Sequence, residues 1–425
     1  MIMTEILIKN ANVISPADNI NGRYDILVRN GKIAEIGNEL KTDGEVINAD
    51  GLYAIPGLVD MHVHLRDPGQ TQKEDIITGC RAAAAGGVTS LLAMPNTNPV
   101  ADNAETVRYI IDKAKNADAK VYVAASVTKG LKSEEPTDLN EVKNAGAIAL
   151  SDDGRPVINT KFLSDAMKKA PSLNMKVVAH CEDLFLADGG KINEGKISRQ
   201  LGIKGIPAAA EDCGTAREIA LAAALDVPVH ICHVSTKTSV ALVRDAKRRW
   251  VRVTAETAPH YFSLTEDELL RRDADFRMNP PLRTSEDVKA IIDGLCDGTL
   301  DAVATDHAPH TVEEKSDFEQ APNGSIGMET SLAVALTYLV KTGLLSFEEL
   351  VRKMSVNPAE ILGINAGTLT IGAPADIALV DIDEEWTVDV EKLHGKSKNT
   401  PFKGKKLCGK VKKTFLNGRL VFEDK

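Results

Sequence analysis

The sequence predicts an α/β chain: a (β/α)8 TIM barrel carrying a small β-sandwich built from both of its ends. Three observations predict it. Between residues 55 and 366, strand-like apolar runs alternate eight times with segments of helical period. Histidines and aspartates recur at the C-terminal ends of those runs, where such a barrel carries its chemistry. Each end of the chain holds strands around Asn-Gly turns, too few on either side to bury a core alone. At 425 residues the chain is long enough for one large barrel and a smaller domain.

Taken in order, 6–14 and 25–37 read as strands, the second doubling back at Asn30-Gly31. At the far end, 375–381 is an apolar strand after a Gly-Ala-Pro turn, and 413–423 is a hairpin turned at Asn417-Gly418. Residues 1–54 and 367–425 are therefore expected to form one discontinuous domain, with 55–366 inserted as the barrel. Two separate β extensions would leave more unprotected edges. Barrel strands are expected at 57–64, 87–94, 120–126, 147–151, 176–180, 228–233, 251–255 and 300–305. Helices are expected at 73–85, 104–117, 160–170, 212–225, 237–248 and 285–296. No Gly-x-Gly-x-x-Gly follows the first strand, so a dinucleotide-binding open sheet loses support. Segments 182–215 and 307–328 lack periodicity and read as long loops at the catalytic rim.

Composition narrows the partners. A net charge of −10, without an unbroken Lys/Arg run, argues against nucleic acid. An aromatic share of 4% argues against a stacking platform for bases. Six cysteines without a close pair read as reduced thiols of a cytoplasmic protein. Glu5 and Lys9 interrupt the first apolar run, unlike a signal peptide. The most apolar later stretch, 330–340, is far short of the ~20 residues a membrane span needs. The expected partner is a small molecule, with no membrane.

The first barrel run ends in His62-Val63-His64, whose alternation puts both imidazoles on one face. The fourth enters Asp152-Asp153, the fifth ends at His180, the sixth at His233 and the eighth at Asp306. One histidine at a strand end is ordinarily a hydrogen-bonded rim residue; four histidines and two aspartates at one barrel mouth form a cage. Imidazole and carboxylate without thiolate suit zinc, ahead of manganese, cobalt or iron. Six ligands exceed one tetrahedral catalytic site, and two metals ~3.5–4 Å apart sharing a carboxylate account for the number. Strand phase does not choose between Asp152 and Asp153. Cys181 and Cys232 adjoin ligands and are expected to point to the opposite, core side. His230, three residues before His233, is expected to face away from the lumen.

Eight motifs run nearly end to end: HVHLRDPG (62–69), MPNTNP (94–99), SDDG (151–154), AHCED (179–183), CHVST (232–236), ETAPHY (256–261), MNPPLR (278–283) and TDHAPH (305–310). Together they resemble the amidohydrolase superfamily, and within it the class I dihydroorotases. The resemblance implies one Zn2+ on His62, His64 and Asp306, a second on His180 and His233, and Asp153 bridging. Hydantoinases bridge with a carboxylated lysine on the fourth strand, and here that strand offers aspartates instead. The implied reaction is the reversible cyclisation of N-carbamoyl-L-aspartate to L-dihydroorotate in pyrimidine biosynthesis, by a metal-bound hydroxide with Asp306 as proton shuttle. The substrate carboxylate calls for a guanidinium, met by Arg66, with Asn96 and His310 beside it and His64 serving substrate as well as metal. Asn279 and the backbone of Asn323 and Gly324 resemble the family's contacts to the ring amide edges. Glu256 and His260 are assigned structural roles. The resemblance also implies a homodimer and allows association with an aspartate transcarbamoylase. Rival readings are a hydantoinase or allantoinase, and a non-catalytic partner of the transcarbamoylase.

Overall fold

The computed structural model describes residues 5–424. Strands from both ends join one eight-stranded sheet. In it Tyr53–Pro56 lies between Glu5–Ser15 on one side and Ile377–Thr387 on the other. Ile20–Arg29 and Lys32–Gly37 extend the N-terminal side, Lys406–Leu416 and Arg419–Glu423 the C-terminal side, and Glu45–Asn48 pairs with Glu5–Ser15. Alternate residues bury a shared core of Ile8, Val13, Ile26, Ile377, Leu379 and Phe415. The two Asn-Gly turns meet: a Cβ on Gly31 would stand 2.6 Å from the Asn417 carbonyl oxygen, and one on Gly418 would stand 2.9 Å from Gly31 Cα. Glycine is needed at both for this close approach as well as for positive φ.

The barrel is formed by Leu58–Val63, Val88–Ala93, Lys120–Ala125, Ala149–Leu150, Lys176–Ala179, Val229–Ile231, Val253–Thr257 and Ala302–Val303, parallel and in sequence order. Each falls within or at the edge of an expected run. A parallel bridge between Val63 and His307 brings the last strand's exit against the first. Val59, Leu92, Ala124, Ala149, Val178, Ala302 and Ala304 fill the lumen, small residues predominating where strands converge. Around it pack helices that include Ile76–Ala85, Ala104–Ala114, Thr160–Lys169, Lys237–Arg248 and Ser285–Cys296. The side chains of Asp75, Asn103, Asn159, Thr236 and Thr284 cap their N-termini.

Segment 182–215 is more ordered than its composition suggests. It holds the short helices Leu184–Ala187 and Lys196–Leu201, and the helix Ala208–Leu225 begins inside it. That helix starts on three alanines with no amphipathic signal, and its buried face carries Glu211 and Glu218. Segment 307–328 contains no helix or strand beyond isolated bridges. It is pinned by Arg277, which donates to the Phe318 carbonyl at 2.6 Å and to Asn323 Oδ1 at 3.1 Å. Among the described residues no helix is long and apolar enough to cross a membrane.

Candidate metal centre

Four imidazoles converge on one carboxylate at the C-terminal mouth of the barrel. Asp153 Oδ1 lies 3.2 Å from His62 Nε2, 3.4 Å from His180 Nδ1 and 3.5 Å from His233 Nε2. Its Oδ2 lies 3.4 Å from His64 Nε2. Asp306 Oδ1 stands 3.2 Å from His64 Nε2 and 3.7 Å from His62 Nε2. All six residues are buried. His233 and Asp306 adopt left-handed φ values of 34° and 49°, so the chain turns sharply as it leaves the sheet. Such conformations are costly for non-glycine residues and persist where the surroundings enforce them.

The two adjacent aspartates diverge. Asp152 accepts from the backbone N–H of Val127 at 2.6 Å and of Thr128 at 3.2 Å, and from the Thr128 hydroxyl. It fixes the loop after the third strand, while Asp153 alone meets the histidines.

The donor set fits divalent metal. His62 Nε2 and Asp153 Oδ1 are buried without a hydrogen-bond partner, although each faces the other's lone pairs across 3.2 Å. A shared cation satisfies both. Burial works to raise the Asp153 carboxyl, yet the charge on His62 and the close approach of the surrounding histidines hold it well below the usual range. Burial likewise opposes charge on His180, but contacts with Asp153 and Glu182 push it up to about 10. Asp306, despite its burial, is held at about 2 by His64 and by the charges of His62 and His233. Protons and metal compete here for the same lone pairs.

The expected substrate residues form three linked groups. Arg66 Nε donates to the Pro309 carbonyl at 3.2 Å, and its Nη2 comes 3.5 Å from His310 Nε2. Burial lowers the Arg66 guanidinium to about 10. Burial and the neighbouring Arg66 and Lys73 push His310 down to about 3, against the pull of Glu314. Asn96 Oδ1 lies 2.8 Å from His64 Nδ1 and thereby orients that ring. Asn279 Nδ2 donates to Glu182 Oε2 at 3.2 Å, leaving its Oδ1 buried without a partner. The Asn323 carbonyl accepts from His310 Nε2 at 3.0 Å, and Gly324 N–H donates to the Arg277 carbonyl at 2.9 Å. The polar backbone of these two residues is thus engaged within the protein.

Two expectations about orientation are corrected. His230 does not turn away from the site: its Nε2 lies 3.3 Å from Glu256 Oε2, and Glu256 Oε1 lies 3.1 Å from His62 Nδ1. Cys232 packs with the lumen residues, within ligand reach of His62 and Glu256. The pleat ends at Ile231 and the left-handed turn at His233 breaks the alternation on which both expectations relied. Burial pushes the Cys232 thiol up to about 12, in keeping with its place among the lumen's apolar residues.

Three further polar residues enter the site. Glu182 Oε2 touches His180 Nε2 at 3.2 Å; its place two residues after His180 was a usable signal. Glu256, assigned a structural role from sequence, contacts His62 directly. Lys73 Nζ reaches His310 Nδ1 at 3.4 Å and pairs with Glu314 at 2.9 Å; nothing local marks it.

Comparison with known proteins places this geometry. The family described as dihydro-orotase-like matches residues 51–239, and the amidohydrolase family matches residues 277–422. A dihydroorotase of Acetivibrio thermocellus is 51% identical over 99% of this chain and 99% of its own. A dihydroorotase of Geotalea daltonii is 51% identical over 98% and 99%. Among solved structures, the L-hydantoinase (dihydropyrimidinase) of Arthrobacter aurescens superposes with a TM-score of 0.88 at 25% identity, covering 98% of this chain and 96% of that one. The dihydropyrimidinase of Brevibacillus agri gives 0.86 at 26% identity, covering 99% and 95%. The hydantoinases share the architecture at half the sequence identity of the dihydroorotases. With its barrel, its histidine–aspartate mouth and full-length similarity of that order, the chain belongs to the dihydroorotase family of the amidohydrolase superfamily.

Proposed function

We propose that the chain interconverts N-carbamoyl-L-aspartate and L-dihydroorotate using two Zn2+ ions, one on His62, His64 and Asp306 and the other on His180 and His233, with Asp153 shared. The convergence of four buried imidazoles on Asp153 at 3.2–3.5 Å carries this reading. Bound there, the ions supply Lewis acidity toward a ring carbonyl and acidify water near neutral pH.

The protein's own residues do the rest. Arg66 offers a rigid fork to the substrate carboxylate, with His310 and Asn96 beside it. Asn279, whose Oδ1 is free, accepts from a ring N–H, and the Asn323-Gly324 segment, held by His310 and Arg277, lines the same side of the pocket. Asp306, ionised and beside both His62 and His64, takes the proton that the attacking water gives up as it adds to the ring carbonyl, and delivers it to the departing ring nitrogen. In the cyclising direction the same carboxylate takes that proton from the attacking nitrogen. The barrel at 55–366 contains all these groups, and the discontinuous domain of 1–54 and 367–425 braces it. A cytoplasmic homodimer, with association to an aspartate transcarbamoylase, accords with this reading.

The test is hydrolysis of dihydroorotate by protein whose zinc content has been quantified. Activity is expected to rise to a plateau near two ions per chain and to vanish after chelation. Zinc-loaded protein inactive on dihydroorotate but active on uncharged hydantoins overturns the substrate assignment. Protein that takes up no zinc and turns over neither is a non-catalytic partner.

A further inference from the structure

Beneath the mouth, the lumen holds a second polar layer that the reaction does not itself use. Glu256, in the seventh barrel strand, is fully buried. One of its carboxylate oxygens, Oε1, lies 3.1 Å from His62 Nδ1, and the other, Oε2, lies 3.3 Å from His230 Nε2. His230 Nδ1 in turn lies 2.8 Å from Thr254 Oγ1. A carboxylate only accepts, so the hydrogen of the His62 ring sits on Nδ1, and the Nε2 lone pair points at the cage. His230 Nε2 and Glu256 Oε2 form no hydrogen bond of their own across that 3.3 Å, so His230 acts on Glu256 as a close, buried polar neighbour.

We infer that Glu256 is a positioning residue that fixes the tautomer and ring angle of His62, and that His230 holds Glu256 in place. The inference rests on the reading of His62 as a metal ligand. His230 also borders a cavity of about 360 Å³ among Lys176, Val229 and Val253, the opening residues of their strands. It therefore belongs to the closed end of the barrel, away from Arg66 and Asn96. Its side chain meets the cage through Glu256.

The experiment titrates Zn2+ into full-length apoprotein against a chromophoric chelator, with thermal melts in parallel. Glu256→Ala is expected to weaken one zinc site about 10- to 100-fold. Glu256→Gln, which keeps an acceptor for Nδ1–H, loses less. His230→Asn loses less again, in the same direction. KM for dihydroorotate stays within about twofold in all three variants, because the carboxylate-binding residues are untouched. Folded Glu256→Ala with unchanged zinc affinity overturns the inference. If that variant does not fold, His230→Asn decides: unchanged zinc affinity overturns it, and a several-fold loss with a native melt supports it. His62→Ala separates the two levels of argument, since full zinc stoichiometry in that variant removes His62 from the ligand set itself.

Discussion

The backbone N–H of His64 donates to the carbonyl oxygen of His307 at 2.8 Å. The first strand of the barrel is thereby tied to the exit of the last at the level of the histidine–aspartate cage. Asp60 reinforces the seam from one turn of the pleat below, accepting from Thr305 N–H at 3.0 Å, Thr305 Oγ1 at 2.5 Å and His62 N–H at 3.3 Å.

Replacing Asp60 by alanine leaves those three donors buried without an acceptor. Unfolding free energy should fall by ~2–4 kcal/mol, the range for orphaned buried polar groups. Calorimetric melting of Asp60→Ala checks it; an unchanged melt removes Asp60 from the seam.

Asp306→Asn keeps the shape of the side chain and removes its capacity to hold a proton. Turnover should drop by about 100-fold or more, the usual contribution of a positioned proton carrier, while KM for dihydroorotate changes little. Steady-state kinetics decides, and a normal kcat excludes Asp306 as the shuttle.

Arg66→Ala should weaken carboxylated substrates by ~2–5 kcal/mol, the cost of removing one member of a buried charged pair. Arg66→Lys should recover only part of that, because an ammonium cannot make the forked contact. Binding of a substrate analogue by calorimetry reads both, and an unchanged affinity refutes the role.

Glu74 supplies a pH signature beside the cage, its Oε2 3.9 Å from the Nε2 of His307. Its carboxyl is wholly buried, and burial pushes it up to about 7, against hydrogen bonds from Thr78 and the backbone N–H groups of Asp75 and Lys396. The folded state thus binds this proton more tightly than the unfolded chain. Its contribution to stability is complete below pH ~4.5 and lost as pH rises through about 7. Glu74→Gln titrates nothing, so the stability of the variant relative to the parent should improve by on the order of 3 kcal/mol between pH 4.5 and 7.5. Denaturant melts across that range check it, and a pH-independent difference disproves it.

Much of this architecture was legible because the barrel is periodic. Runs such as 120–126 and 176–180 are apolar, bounded by turn residues and separated by helices with capped starts. The site was legible for a related reason: strand ends in a barrel share one rim, so His62, His180, His233 and Asp306 meet whatever the loops between them do. Features that depended on a neighbouring strand were not legible. The choice of Asp153 over Asp152 is made by Thr128, and the orientation of His230 by a left-handed turn three residues later. Lys73 reaches His310 only because the 307–328 segment folds back over the mouth.

The seam at Tyr53–Pro56 has a consequence for how the chain is made. This strand pairs with Glu5–Ser15, made before it, and with Ile377–Thr387, which follows it by about 320 residues (377 − 56 = 321). At translation rates of ~5–20 residues per second its second edge waits roughly tens of seconds for a partner. During that interval the nascent protein carries an open strand edge of the kind that recruits aggregation or chaperones.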